Sequence, residues 1–253
     1  MYKNIVKEML LNKQPVLGCI VNGPYPALVE MLGLAGFHFV FIDVEHSTLS
    51  FRDCEELVRA AEIRHIVPFI RTPENNPKTI LRYMDLGAMG MIIPDVGNKE
   101  EAESAVRAVK YAPRGDRGLA TTRCQDFGYG KSKSEYFKDA NYETMVIALI
   151  ESKEGVDHSE EILAVDGIDA CFIGTSDLSM SLGVLGQVDH PLVRSAFDKV
   201  LNLGLQMGKP VGVVVRDNET PKQLLDKGLS IVFTGINAIV KVGAKEFITN
   251  AGC

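Results

Sequence analysis

Short apolar runs alternate along the chain with longer stretches in which apolar residues recur every three or four positions. The short runs fit strands covered on both faces, and the longer stretches fit the helices that cover them. This pattern predicts strands over 16–21, 37–43, 67–71, 90–94, 145–150, 170–173, 210–215 and 231–234. It predicts helices over 26–34, 50–63, 77–86, 99–109, 155–163, 192–207, 220–227 and 236–250. Gly87 and Gly228 stand where helices commonly end on glycine, and Ser50 and Thr220 suit N-caps. Strand and helix thus alternate eight times in 253 residues. A (β/α)8 TIM barrel typically needs about 250, so one α/β barrel domain spanning 1–253 is expected.

Residues 112–142 break the rhythm, being rich in Gly, Arg, Lys, Ser and Tyr and without a clear apolar period before Tyr136. A long interruption of this kind is usually functional or intersubunit. No internal repeat, low-complexity tract or linker marks a second domain.

Composition narrows the partners. The chain is 46% hydrophobic and 24% charged, with a formal net charge of −6 and no long block of one sign, which argues against nucleic acid. The opening MYKNIVKEML alternates charge with apolar residues and lacks the form of an export signal. The apolar run 31–42 is broken by glycines and His38, and it falls well short of the roughly 20 residues of a membrane span. Cys19, Cys54, Cys124, Cys171 and Cys253 are odd in number, scattered and free of any CxxC pair. They fit a reducing compartment, so a soluble cytoplasmic protein without a membrane partner is expected.

In a barrel of this class the reactive groups stand at the C-terminal strand ends, where eight loops meet around one mouth. The second predicted strand runs into Asp43, Glu45 and His46, the third ends at Arg71, and the fifth runs into Glu151. The sixth runs into Gly174, Thr175, Ser176 and Asp177. Singly, each has a plainer reading: Asp177 as a helix cap, His46 as a structural histidine, Arg71 as a packing arginine. Together they put acids, a histidine and an arginine on one face. Glu151 and Asp177, with no cysteine or second histidine nearby, suit a hard divalent cation such as Mg2+ or Mn2+ that keeps positions open for substrate. The turn at 174–177 offers backbone N–H groups to a carboxylate or phosphate. Arg71 could stabilise an oxyanion, and His46 could move a proton if a nearby aspartate orients it.

At these residues the chain resembles the HpcH/HpaI aldolase family of metal-dependent pyruvate aldolases. The matching stretches are FIDVEHS, FIRTPENN, MDLGAMGMIIPDV, KYAPRGDRG and ALIESKEGVDHSEEILAVDGIDACFIGTSDLSMSLG, with a further match around DHPLV. The resemblance implies a phosphoenolpyruvate/pyruvate-domain-like barrel that cleaves a 4-hydroxy-2-oxo acid to pyruvate and an aldehyde. It implies Glu151 and Asp177 as ligands of Mg2+ or Mn2+, with Co2+ as a further candidate, and residues 174–177 as the carboxylate cradle. Arg71 would face the enolate oxygen. His46, with Asp43 or Asp85 in support, would serve acid–base catalysis. A homo-oligomer, in particular a hexamer, is implied as well. The chain departs from the family pattern at Leu149, where a glutamine is common, and in reading GTSD for GPAD. The segment 119–136 also matches poorly and is expected to shape the aldehyde side.

Three other readings compete. A lysine Schiff base could replace the metal, but Lys153 is the one lysine near a strand end and it begins a helix. A citrate-lyase-β-like enzyme acting on a coenzyme A thioester would want a basic groove. A catalytically silent barrel would not need His46, Arg71, Glu151 and Asp177 on one face.

Overall fold

The computed structural model describes residues 2–216 and 219–251; Cys253 lies outside them. Eight strands close one barrel in chain order, and every neighbouring pair is parallel. They are β1 (Val16–Val21), β2 (Phe39–Asp43), β3 (Val67–Arg71), β4 (Gly90–Ile93), β5 (Met145–Ile150), β6 (Ala170–Ile173), β7 (Val211–Val214) and β8 (Ile231–Gly235). Each predicted strand is present. The covering helices are α2 (Pro26–Leu34), α3 (Phe51–Ile63), α4 (Pro77–Asp85), α5 (Lys99–Val109), α7 (Lys153–Asp157), α8 (Ser159–Ala164), α10 (Pro191–Met207), α11 (Pro221–Asp226) and α12 (Ile236–Asn250). Ser50 and Thr220 each close a reciprocal capping box with the third residue of the helix they begin.

Three further helices depart from the expectation. α1 (Ile5–Leu11) closes the N-terminal end of the barrel, with Val6 and Leu10 joining the core inside it. Asn4 caps this helix and donates from its side chain to the carbonyls of Met89 and Glu143. α9 (Thr175–Ser181) is a short turn directly after β6. α6 (Lys133–Glu143) lies inside the irregular segment, with Tyr136 packed beside Tyr111 and Phe137. That segment links a helix to the start of a strand, so within one chain it lies on the face opposite the catalytic mouth. The expectation that it shapes the aldehyde side is therefore corrected for the single chain.

Parallel pairing puts side chains of adjacent strands side by side, and the interior is filled on that rule. Phe39, Phe41, Phe69, Phe172 and Phe233 form much of the core inside the barrel. Four of them face a glycine in register: Phe39 and Phe233 on either side of Gly18, Phe69 opposite Gly90 and Phe172 opposite Gly212. A Cβ on Gly18 would lie 2.1 Å from the Phe39 ring, on Gly212 2.5 Å from Phe172, and on Gly90 2.6 Å from Phe69. The small partner makes the large one possible. A second core, outside the strands, packs them against the helices.

Among the described cysteines none is in a disulfide. Burial pushes the thiols of Cys19, Cys54 and Cys171 up to about 12, which suits inert core residues. No described helix is long and apolar enough to cross a membrane.

Gly18→Ala is expected to destabilise the protein by about 1–3 kcal/mol through overpacking, read as a lower urea midpoint with an unchanged slope. Adding Phe39→Leu to Gly18→Ala should recover part of the loss; strictly additive losses in the double variant would refute the steric account.

Candidate active site

On β2, β3 and β5 the inward row changes from apolar to polar at the C-terminal end. On β2 the row Phe39, Phe41 ends in Asp43, and on β3 the row Val67, Phe69 ends in Arg71. Asp43 and Arg71 are partners in register, which brings a carboxylate and a guanidinium together at the mouth. Arg71 donates from Nε to Asp43 Oδ1 at 2.9 Å and from Nη2 to Asp43 Oδ2 at 2.8 Å. Its Nη1 lies 2.9 Å from Glu45 Oε2, an ion pair whose angles fall outside hydrogen-bond geometry. The guanidinium also rests over the Phe41 ring, 5.5 Å from its centre. Burial alone would weaken this cation. The hydrogen bonds to Asp43 and the charges of Asp43, Glu45 and Glu151 outweigh that, so the pKa of Arg71 moves up. Burial raises the pKa of Glu45, with Arg71 opposing.

On the other side of the mouth, the row Met145, Ile147, Leu149 of β5 leads into Glu151. Ile150 and Ile173 pair in register, so Glu151 and Gly174 are the next neighbours. A Cβ on Gly174 would lie 2.7 Å from both Cβ and Oε2 of Glu151, so the carboxylate occupies the space that the glycine leaves. Its Oε1 accepts the Asp95 backbone N–H at 3.0 Å. Glu151 is only 5% exposed. Burial, reinforced by the charges of Asp95, Glu45 and Asp177 and opposed by the Asp95 hydrogen bond, pushes its carboxyl up to about 8.

Asp177 stands in the first turn of α9, but Gly174 is the N-cap, so the capping reading for Asp177 does not hold. Thr175 is buried beside it and Ser176 is exposed. Glu151 and Asp177 therefore form an acidic pair on adjacent strand ends. Among the described residues, no group of three or more His, Cys, Asp or Glu side chains stands at ligand spacing. Two carboxylate ligands still fit a hard divalent cation, because Mg2+ in particular is held by one or two carboxylates and keeps water or substrate oxygens. A buried acid surrounded by other acids is also the setting in which such a cation is most stabilising.

The remaining predicted residues divide. His46 is exposed in the turn after β2, close enough for its charge to act on Glu45. Asp43 does not orient its ring; both oxygens of Asp43 bind Arg71, and Oδ1 also accepts the His46 backbone N–H at 3.3 Å. Asp85 is not brought to the site within the chain. It ends α4, ahead of the N-terminal end of β4, and pairs with the buried Arg117 at 2.8 Å. Reading the strand ends left Asp95 unassigned and gave Glu45 no role. Asp95 follows β4 by the same strand-end logic, within the run IIPDV, and that was the available signal.

Comparison with known proteins agrees with this fold. The family model described as HpcH/HpaI aldolase/citrate lyase matches residues 17–242. The chain is similar to 5-keto-4-deoxy-D-glucarate aldolase of Escherichia coli, 34% identical over 235 residues that cover 92% of this chain and 91% of that one. Among solved structures it is similar to an HpcH/HpaI aldolase/citrate lyase family protein from Burkholderia cenocepacia J2315. That match has a TM-score of 0.93 and 30% identity, covering 99% of this chain and 100% of that one. It is also similar to the citrate synthase SbnG, with a TM-score of 0.86, 29% identity and 97% of each chain covered. With its fold, its strand-end acids and these matches, the chain belongs to the HpcH/HpaI aldolase/citrate lyase family and is a class II aldolase, a carbon–carbon lyase.

Proposed function

We propose that the protein cleaves a 4-hydroxy-2-oxo acid reversibly to pyruvate and an aldehyde, using Mg2+, Mn2+ or Co2+ held by Glu151 and Asp177. The observation that supports this most is the placement of a clamped arginine and an acid pair, the buried Glu151 and the half-buried Asp177, around one barrel mouth.

The bound cation would draw electron density from the 2-oxo group of the substrate, which no side chain of the site can do as strongly. Arg71 is fixed by Asp43 and Glu45, yet its terminal nitrogens carry N–H groups beyond those bonds, and these face a developing enolate oxygen. A charge already in position needs little reorganisation as the carbon–carbon bond breaks. The backbone N–H groups of residues 175–177 receive the pyruvate carboxylate; that of Gly174, expected to join them, donates to the Ile150 carbonyl at 3.1 Å. His46, exposed and adjacent, takes the proton of the 4-hydroxyl in cleavage and returns it in addition. A thioester reading has less support: Lys153 and Arg216, cations that follow strand ends, are already paired with Asp157 and with Glu219 and Asp189.

The protein works as an assembly of its own copies, a hexamer in this reading. Ile236 is the one buried residue of α12, while Val240, Val242, Phe247 and Ile248 are exposed on it, Phe247 to 77%. Leu119, Phe127 and Tyr129 are exposed in the irregular segment as well. Apolar surface of this extent suits a second copy of the chain. A cytoplasmic location is part of the same proposal.

Glu151→Gln and Asp177→Asn should each abolish metal binding by calorimetry and abolish turnover, and Gly174→Ala should weaken metal binding by displacing Glu151. Full activity after exhaustive chelation, or a borohydride-trapped lysine adduct, would overturn the metal assignment.

Arg71→Ala should suppress both aldol cleavage and exchange of pyruvate's methyl protons, since both pass through the enolate. His46→Ala should reduce cleavage by about 10²–10⁴-fold and spare the exchange. Equal losses of the two in His46→Ala would move His46 to the enolate.

Light scattering at micromolar concentration should give the mass of a hexamer; a monomer alone would refute assembly.

A further inference from the structure

Asp95 is exposed at the mouth, next to the buried acid that the proposed reaction uses. Its backbone is left-handed, with φ at 51°, a conformation that aspartate tolerates better than most residues and that still costs free energy. This turn aims its N–H at Glu151 Oε1, and its carboxylate is close enough for its charge to act on both Glu151 and Glu45. The backbone contact does not depend on the side chain. The negative charge at position 95 is thus an addition to the site, separate from the hydrogen bond that holds Glu151.

The surrounding charges give that addition a direction. Among the described residues, the Lys and Arg residues at the strands' C-terminal ends or within three residues beyond them are Arg71, Lys153 and Arg216, and each is paired with carboxylates. The acids there include Asp43, Glu45, Asp95 and Glu151, with Asp177 one residue further on. With a divalent cation on Glu151 and Asp177, these acids still outnumber the positive charges of that ion and Arg71, so a substrate that already brings the pyruvate carboxylate meets a mouth with negative charge in excess. A second carboxylate, on the aldehyde half, has no unpaired Lys or Arg of this set to receive it. The geometry points to Asp95 as a specificity residue that turns the enzyme toward uncharged aldehydes and away from aldehydes bearing a carboxylate. This rests on the aldolase reading above and names the acceptor class within it.

The test compares butanal with 4-oxobutanoate, its counterpart ending in a carboxylate, as acceptors for pyruvate with the metal-loaded protein. Asp95→Asn removes the charge and keeps a side chain that favours the left-handed turn; Asp95→Lys reverses the charge. The readout is the ratio of kcat/KM for 4-oxobutanoate to that for butanal, in which any general loss of activity cancels. Relative to wild type, the ratio should rise about 5-fold in Asp95→Asn and about 20-fold in Asp95→Lys, as expected for unit charge changes at a partly solvated mouth. Both gains should shrink at about 1 M salt, where exposed charges are screened. A ratio within twofold of wild type in both variants overturns the inference. Wild-type protein that exchanges pyruvate's methyl protons but accepts neither aldehyde also overturns it and spares the enolate chemistry. Absence of that exchange overturns the aldolase reading with it.

Discussion

In a closed parallel barrel the inward side chains of each layer share a fixed volume, so large rings need small neighbours within their layer. Four of the five interior rings have a glycine beside them in register, Gly18 by Phe39 and Phe233, Gly90 by Phe69 and Gly212 by Phe172, and where Phe41 and Phe69 are neighbours Gly90 leaves room on the other flank of Phe69. The same arrangement recurs one layer higher, where Gly174 stands beside Glu151. There the large partner is an acid instead of a ring. The aromatic floor and the acidic site are thus built by one spatial rule, and the layer in which the large residue becomes charged is the layer where chemistry begins.

Charge then organises the mouth into two halves. Around β2 and β3, Asp43 and Glu45 hold one arginine through three of its nitrogens, so charge is compensated within the chain. Around β5 and β6, Glu151 and Asp177 are acids with like-charged neighbours, and burial makes the ionised form of Glu151 costly. Among the described residues no cation pairs with either acid there, and Lys153, two residues beyond Glu151, is paired with Asp157. The proposed reaction draws on this asymmetry, with a fixed cation on one side and two acids that would hold a divalent cation on the other.

Much of this was legible in the chain, for physical reasons that also explain what was not. Strands buried on both faces are continuous apolar runs, and 16–21, 67–71, 145–150 and 170–173 could be read to the residue. Arg71, Glu151 and Asp177 could be found because polar residues ending such runs must face the mouth. The short helix over 175–181 was hidden because it has too few turns to show a period, and the one over 133–143 because much of its surface is solvated. The partner of Asp43 depends on register between strands, which sequence spacing does not encode. Asp85 was named by the family resemblance and not by any strand end; within the chain its helix runs back down the barrel and ends at the far face. Asp95 was missed since its contact with Glu151 comes from the backbone, and only φ and ψ reveal where an N–H points.

The hydrogen bond from Asp95 to Glu151 has a consequence for how such an enzyme can change over generations. A contact made by the main chain persists through any substitution that keeps the turn, so drift at this position can change the charge beside Glu151 while the hydrogen bond that holds Glu151 stays in place. Diversification of substrates is then decoupled from preservation of the reaction, and a barrel of this kind can try new partners one side chain at a time.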